Sequence, residues 1–279
     1  MALPIRPRKR FGQHFLEPQW ADKLIAAIDP QPTDRFLEIG PGPGALTVRL
    51  APRVAHLAAV EIDRDAIDAL RPLLPANVEI VEADFLELDL AGLLGDGPVR
   101  VVGNLPYNIS SPILFRLIDA ARQFGTVADA TLMVQREVAD RIEAHPGSGD
   151  YGVLSIGVQL HADVRRVLTL PPGAFRPRPK VYSAVIGLRF RESPVPVADE
   201  RLFQNMVRSI FTQRRKTLAN SLATFAAGMR LSAREALAAT GIDPARRAET
   251  LTLAELAGLA DFFARRIGQA GEETSAPGQ

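Results

Sequence analysis

The sequence predicts an α/β protein in which a mainly parallel sheet with crossover helices is followed by a small all-helical domain. Three observations predict this class. Between about residues 35 and 134, short β-branched runs alternate with segments whose apolar residues recur at helical spacing. A glycine-rich stretch at 40–44 joins the first such strand to a helix. Beyond Pro194 and Pro196 the apolar spacing is helical only, so we predict a linker and a second domain there.

The spacing of apolar residues and the helix- or strand-breaking residues between them predict the elements one after another. The helix over 18–28 has Leu24, Ile25 and Ile28 at helical spacing and ends at Asp29-Pro30. The alternating region gives strands at 36–39, 55–62, 77–81, 99–102 and 130–134 and helices at 45–50, 65–70 and 112–124. We further predict a helix at 151–159 and two closing strands at 164–170 and 182–190.

The second domain is predicted from an apolar helical stripe that begins at Leu202 and ends at Ile210. Further helices are expected at 233–239 and 254–265. We therefore divide the chain into a first domain over 1–192 with a basic arm at 1–16, a helical domain over 193–266 and a disordered tail at 267–279.

Composition excludes several classes of protein. The chain has 279 residues, 47% hydrophobic and 23% charged, which is typical of a globular protein. It lacks both a run of about 18 apolar residues and the apolar core of a secretory signal, so we expect a cytoplasmic protein. With no cysteine and four scattered histidines, no metal site is predicted.

The net charge of +1 conceals segregated charge. Residues 1–16 hold four bases and no acid, 163–191 hold seven bases and one acid, and 54–89 hold nine acids and two bases. Basic segments of this kind indicate a polyanion-binding surface, although each alone could be ordinary solvated surface and the first could be a transit peptide. The candidate RNA-binding residues are Arg8, Lys9, Arg10, Arg176, Arg178, Lys180, Arg214, Arg215 and Lys216.

The loop Asn104-Leu105-Pro106-Tyr107 follows a strand and is stiffened by its proline. An amide oxygen beside a fixed backbone carbonyl can accept both hydrogens of one amino group, and a following aromatic ring can stack on the group that carries it. The pattern therefore suits a nucleobase amine. The alternative is a strand-ending turn whose asparagine caps the loop.

Three strand ends carry residues suited to a nucleoside ligand. The loop at 40–45 alternates glycines and also matches the dinucleotide fingerprint through Gly40, Gly42 and Ala45, so nicotinamide or flavin binding has to be weighed. Glu61 follows at the spacing of an acid that binds ribose hydroxyls, and Asp84 with Phe85 could bind an adenine amine and cover its face.

Taken together, these motifs resemble the S-adenosylmethionine-dependent methyltransferases, and within them the bacterial small-subunit ribosomal RNA adenine dimethyltransferases. The resemblance covers roughly residues 6–265. Its motifs lie at 11–16, 37–44, 60–63, 83–85, 103–112, 134–139, 151–155, 175–183 and 211–222.

The resemblance implies a Rossmann-like class I methyltransferase sheet with S-adenosylmethionine as cofactor and S-adenosylhomocysteine as product. It places the methyl donor against His14, Leu16, Gly40, Gly42, Glu61, Ile62, Asp84, Phe85 and Asn104. It places the target adenine against Asn104, Leu105, Pro106, Tyr107 and Phe175. The family usually has asparagine where His14 stands.

The implied activity is transfer of two methyl groups to N6 of each of two adjacent adenines near the 3′ end of small-subunit RNA, in a pre-30S particle, by a monomer. Three other functions are weighed against it. They are an antibiotic-resistance methyltransferase of large-subunit RNA, an RNA-binding assembly factor with a retained donor pocket, and a nicotinamide dehydrogenase. The dehydrogenase lacks any hydride-transfer set of residues. Phe175 could also simply pack beside its prolines.

Overall fold

The computed structural model describes residues 14–275, and for 270–275 it describes the backbone alone. Contacts divide the chain into two compact units. Within the described residues, the sheet unit comprises 14–140 and 162–191, and the helical unit comprises 141–161 and 192–275.

Seven of the described strands form one mixed sheet in the order β4-β3-β2-β5-β6-β9-β7, and β1 pairs separately with β8. Strands β2 to β6 pair with one another in parallel, whereas β9 runs antiparallel to β6 and β7. The strands are β1 Phe15–Leu16, β2 Arg35–Ile39, β3 His56–Glu61, β4 Val78–Glu82, β5 Val99–Asn104, β6 Val127–Gln135, β7 Ala162–Leu170, β8 Phe175–Arg176 and β9 Ser183–Phe190.

Several helices begin at residues that favour a helix N-terminus. Pro18 opens α1, where its missing N–H would have no partner in any case. Asp199 caps α8 by accepting from Leu202 N at 2.9 Å, and Ser232 caps α10. The helices are α1 Pro18–Ile28, α2 Thr47–Leu50, α3 Arg64–Leu70, α4 Ala91–Leu94, α5 Ser110–Phe124, α6 Arg136–Glu143, α7 Val153–Gln159, α8 Glu200–Phe211, α9 Leu218–Gly228, α10 Ala233–Thr240 and α11 Leu253–Ser275.

Strand order fixes where a ligand can bind. The chain enters the sheet at β2, adds β3 and β4 on one side, and then crosses to add β5 and β6 on the other. The reversal leaves a crevice at the carboxyl ends of β2 and β5. The predicted α/β class with a C-terminal helical region is confirmed.

The helical unit has a core of its own. Tyr151, Phe203, Leu222 and Phe263 are among the side chains buried in it. Tyr151 lies in 141–161, so this segment packs with the helical unit, whereas the predicted boundary at 192 assigns it to the first domain. The reason is that apolar residues of 144–160 complete the helical core.

Other differences from the predicted elements are local. The strands β1 and β8 are two residues long and exist through mutual pairing, so they carry no sequence pattern of their own. The predicted disordered tail begins inside α11, which continues to Ser275, and residues 276–279 lie outside the described part.

Candidate functional site

The crevice between β2 and β5 opens into a cavity of about 280 Å³ in the sheet unit. Every described residue predicted to hold the donor lines it, as does the whole Asn104 to Tyr107 loop. The predicted residues on its wall are His14, Leu16, Gly40, Gly42, Glu61, Ile62, Asp84, Phe85, Asn104, Leu105, Pro106 and Tyr107.

The glycine loop after β2 has a backbone that other residues adopt only with strain. Gly40, Gly42 and Gly44 have φ angles of 65°, 52° and 84°. A Cβ on Gly44 would lie 2.3 Å from Leu70 Cδ1, so the Leu70 side chain of α3 would have to move to make room for it. Apart from the chain neighbours, no atom of the described residues lies within 4 Å of a Cβ built on Gly40, which leaves room for a ligand to approach the backbone.

Glu61 at the end of β3 ties this loop in place. Its Oε2 accepts from Gly42 N at 3.0 Å, and its Oε1 accepts from Ile62 N and Asp63 N, both at 2.9 Å. Burial raises the pKa of the Glu61 carboxyl, and the three N–H donors act in the opposite direction. The two oxygens together have lone pairs beyond these three bonds, so the carboxylate can still accept from hydroxyl groups.

Glu38 is a site residue that the sequence motifs do not single out. It lies on β2, lines the cavity and is only 2% exposed. Burial raises its pKa to about 8, and the Glu61 charge raises it further. Its Oε2 and the Thr47 Oγ1 have no hydrogen-bond partner among the described residues. The available signal was an acid inside an otherwise apolar strand.

The end of β4 supplies both an acceptor and apolar surface. One carboxylate oxygen of Asp84 accepts from Leu86 N at 2.8 Å, which fixes the side chain, and the carboxylate keeps further acceptor capacity. Phe85 is buried in the cavity wall, whereas Ile62 is 48% exposed. An apolar wall with a fixed carboxylate suits an adenine ring and its amine.

The Asn104 amide is oriented by a residue 90 positions away. Its Nδ2 donates to the His14 backbone carbonyl at 2.7 Å. A carbonyl can only accept, so the NH₂ group must occupy that side and Oδ1 remains the acceptor toward a ligand. The prediction that this loop presents an amide oxygen at the cavity therefore has a structural reason.

Tyr107 is also held from two sides. Its hydroxyl shares a hydrogen bond of 2.8 Å with Ser183 Oγ on β9, and burial raises its pKa. The His14 ring stacks on the Tyr107 ring with centroids 5.5 Å apart and planes at 25°. His14 Nδ1 donates to the Pro177 carbonyl at 2.7 Å, so His14 connects both loops that face the acceptor side.

Phe175 is placed differently from the prediction. Its side chain is 0% exposed and packs in an apolar cluster with Leu16, Ala174 and Val185. It does not line the cavity. The alternative reading, an aromatic packed in its own loop, describes this structure, and a stacking role for Phe175 would require it to be uncovered.

The predicted RNA-binding cations fall into three groups. Arg178, Lys180, Arg215 and Lys216 are exposed. Arg176 pairs with Glu17, while Arg214 pairs with Glu249 at 3.1 Å and donates to the Gly149 carbonyl at 2.8 Å. Arg214 is therefore held by partners within the helical unit, so we expect a structural role for it in place of the predicted RNA contact. Arg8, Lys9 and Arg10 lie outside the described residues.

The described residues were also compared with the patterns of metal sites and of membrane-spanning helices. Among the residues whose side chains the structure describes, 14–269, we find no cluster of three or more histidine or acidic side chains that could hold a metal ion. No helix in the same residues combines the length and apolar character needed to cross a membrane.

Comparison with known proteins gives the family. A family model described as ribosomal RNA adenine dimethylase matches residues 5–265. A ribosomal RNA small subunit methyltransferase A of Syntrophotalea carbinolica is 48% identical over 261 residues, which cover 92% of this chain and 97% of that protein. The protein of the same name in Geobacter metallireducens is 48% identical and covers 91% and 94% of the two chains.

Solved structures agree. A dimethyladenosine transferase from Plasmodium falciparum superposes with a TM-score of 0.76 and 25% identity, covering 91% of this chain and 98% of that one. The 23S rRNA methyltransferase ErmE gives a TM-score of 0.63 and 28% identity, with coverage of 88% and 98%. On this evidence the chain belongs to the ribosomal RNA adenine dimethylase family, whose members are S-adenosylmethionine-dependent methyltransferases.

Proposed function

We propose that this enzyme methylates N6 of two adjacent adenosines near the 3′ end of small-subunit ribosomal RNA, adding two methyl groups to each. The observation that carries the proposal is the Asn104 amide, whose Oδ1 is left as the acceptor beside a nucleoside-sized cavity. The choice of the small subunit is supported by relatives at 42–48% identity that are named for it.

The chemistry asked of the acceptor side is mainly orientation. An adenine amine is a weak nucleophile because its lone pair is delocalised into the ring. Accepting both amine hydrogens, one on Asn104 Oδ1 and one on a backbone carbonyl, favours a tetrahedral nitrogen with a localised lone pair. That carbonyl would be the one of Leu105 or of Pro106, and the Pro106 carbonyl, which accepts from Ile109 N at 3.1 Å, has one lone pair left. No general base is needed.

The donor side fits S-adenosylmethionine by the chemistry of its residues. Glu61 would accept from the ribose hydroxyls, and Asp84 would accept from the adenine amine while Ile62 and Phe85 cover the ring. Glu38 Oε2 is buried and has no hydrogen-bond partner among the described residues, so it would bond a polar group of the donor on the same wall. The cofactor supplies an activated methyl group.

The substrate follows from the acceptor geometry. An adenine that stacks on Tyr107 must be unstacked from its neighbours in the RNA. The target is therefore single-stranded or loop RNA. Exposed cations of the sheet unit, Arg178 and Lys180, and of the helical unit, Arg215 and Lys216, would contact phosphates. We place the enzyme in the cytoplasm, as a monomer acting on a pre-30S particle.

The test is to incubate the enzyme with isotope-labelled donor and with unmethylated small or large ribosomal subunits, and to map modified nucleosides. We expect N6,N6-dimethyladenosine at two adjacent positions of the small-subunit RNA alone. Label in large-subunit RNA would support the resistance-type alternative. Donor binding without transfer to either particle would support the assembly-factor alternative.

A further inference from the structure

An exposed aromatic residue stands next to the acceptor loop. Tyr182 is 45% exposed, and its chain neighbour Val181 is 44% exposed. Large apolar side chains this open are few in the described residues, and these two are consecutive. An aromatic face kept in solvent costs hydrophobic burial, so its presence points to a binding role.

Two contacts with Arg136 hold Tyr182 in place. The Arg136 guanidinium lies over its ring at 5.3 Å from the centroid, and the Arg136 N–H donates to the Tyr182 carbonyl at 2.9 Å. A cation over one face fixes the ring and leaves an edge and a face for another planar group.

Ser183, the residue after Tyr182, connects Tyr182 to the acceptor loop. Ser183 is buried, and its Oγ bonds the Tyr107 hydroxyl at 2.8 Å. Tyr182 is one residue away along the chain, about 3.8 Å between Cα atoms. The Tyr182 backbone is thus connected to the Tyr107 side chain through a single buried serine.

The surrounding charge suits RNA. Arg178 and Lys180 precede Tyr182, are exposed, and form no ion pair with any described residue. Arg136 is exposed as well. Cations interleaved with an open aromatic ring are the pattern with which proteins bind single-stranded nucleic acid, phosphate by phosphate and base by base.

We propose that Tyr182, Val181 and Arg136 form a stacking surface for the nucleobase that flanks the target adenosine. The inference rests on the proposed function, since it takes RNA as the substrate and Tyr107 as the site of the target base. It assigns a further task to this surface: keeping the neighbouring base unstacked from the target so that the target can enter the cavity.

The test compares Tyr182→Ala and Tyr182→Phe with the wild type, and uses Leu73→Ala as a control for an exposed apolar residue of the sheet unit elsewhere in the chain. The probes are hairpin RNAs whose loop holds two adjacent adenosines, with 2-aminopurine as the next nucleotide on the 5′ side in one RNA and on the 3′ side in another. Stacking on tyrosine quenches 2-aminopurine. Steady-state methylation of unmethylated small subunits gives KM and kcat, and donor affinity is measured separately.

We expect the wild type and Tyr182→Phe to quench one of the two probes and Tyr182→Ala to lose that quenching. The particle KM of Tyr182→Ala should rise about tenfold, the usual effect of losing one base stack, with donor affinity and the Leu73→Ala values unchanged. Unchanged quenching and KM in Tyr182→Ala, equal losses in Tyr182→Phe, or equal losses in Leu73→Ala would each overturn the proposal. Quenching that depends on Tyr182 without methylation of small subunits would support the surface while refuting the proposed function.

Discussion

The carboxylate of Glu61 joins two parts of the donor cavity, because it accepts from the glycine loop and from the start of α3 at once. We expect Glu61→Gln to lower both the affinity for the methyl donor and the free energy of unfolding. A glutamine places an NH₂ group against one or more backbone N–H donors, and leaving such a donor unpaired costs about 1–3 kcal/mol. Donor affinity measured by calorimetry should fall at least tenfold. An affinity within twofold of the wild type would contradict the role given to Glu61.

The raised pKa of Glu38, about 8, makes a pH prediction. Below the ordinary pKa of 4.5 the carboxyl is protonated in both folded and unfolded chains. As pH rises toward 8, only the unfolded chain releases the proton, so the free energy of unfolding falls by up to about 1.4 kcal/mol per pH unit. Above the folded pKa the contribution becomes constant.

Glu38→Gln removes this ionisation and keeps the shape of the protonated acid. We therefore expect wild type and variant to have similar stability in urea at pH 5, and the variant to be a few kcal/mol more stable at pH 8. A difference in stability that does not change between these pH values would show that Glu38 is ionised in the folded protein at pH 5.

For single residues, the sequence predicts which of them line the site better than it predicts which partners they contact. Glu61, Asp84 and Asn104 were predictable because parallel strands bring their carboxyl ends to one edge. The burial of Phe175 and the pairing of Arg214 with Glu249 were not, because both depend on partners distant in sequence. The same holds for the bond from Asn104 to His14.

Among the elements, β5 is the one whose position decides the acceptor geometry, since it ends at Asn104 and pairs with β2. Gly103 makes this close pairing possible. A Cβ there would lie 2.9 Å from the Ile39 carbonyl oxygen and 3.2 Å from Ile39 Cβ. Backbone cannot yield as a flexible side chain can, so an added methyl group must displace the strand.

We expect Gly103→Ala to lower kcat at least tenfold and to destabilise the protein by about 1–3 kcal/mol, the usual cost of overpacking. Gly92→Ala is the matched control, because Gly92 lies in α4 and a Cβ there meets no atom of another described element within 4 Å. Methylation kinetics and urea unfolding measure both effects. Wild-type turnover in Gly103→Ala would show that β5 tolerates displacement at the site.

The alternating strands and helices were readable from sequence because each parallel strand is a local apolar run with a crossover helix beside it. In contrast, β1 and β8 could not be predicted. Leu16 pairs with Phe175 across 159 positions, so the strand exists only through its partner.

The whole molecule carries exposed cations in both units, and both are expected to contact the same RNA. Replacing Arg178 and Lys180 by alanine, or Arg215 and Lys216 by alanine, should weaken binding to unmethylated small subunits. Each pair should also reduce the slope of log affinity against log salt, by about one for every phosphate that the variant no longer neutralises. Filter binding over a range of salt concentrations measures this, and an unchanged slope would remove that pair from the interface.

Arg214→Ala is the informative comparison for the helical unit. Because Arg214 bonds Glu249 and the Gly149 carbonyl, its loss should lower stability while leaving the salt slope unchanged. A reduced slope with unchanged stability would return Arg214 to the RNA-binding set.

The division of the chain into a sheet unit and a helical unit could be predicted only in part from the sequence. Pro194 and Pro196 mark a change in composition, whereas the membership of 141–161 in the helical unit depends on where Tyr151 and Ile156 pack. Apolar helical spacing shows that a face is buried, but it does not show which core buries it.

The central claim is that Asn104 orients the adenine amine. Single-turnover methylation of unmethylated small subunits by Asn104→Ala, with donor and particle affinities measured in parallel, tests it most directly. We predict a fall in rate of about 10²-fold or more, typical of removing one oriented polar group from an active site, with particle affinity nearly unchanged. Turnover comparable with that of the wild type would contradict the account.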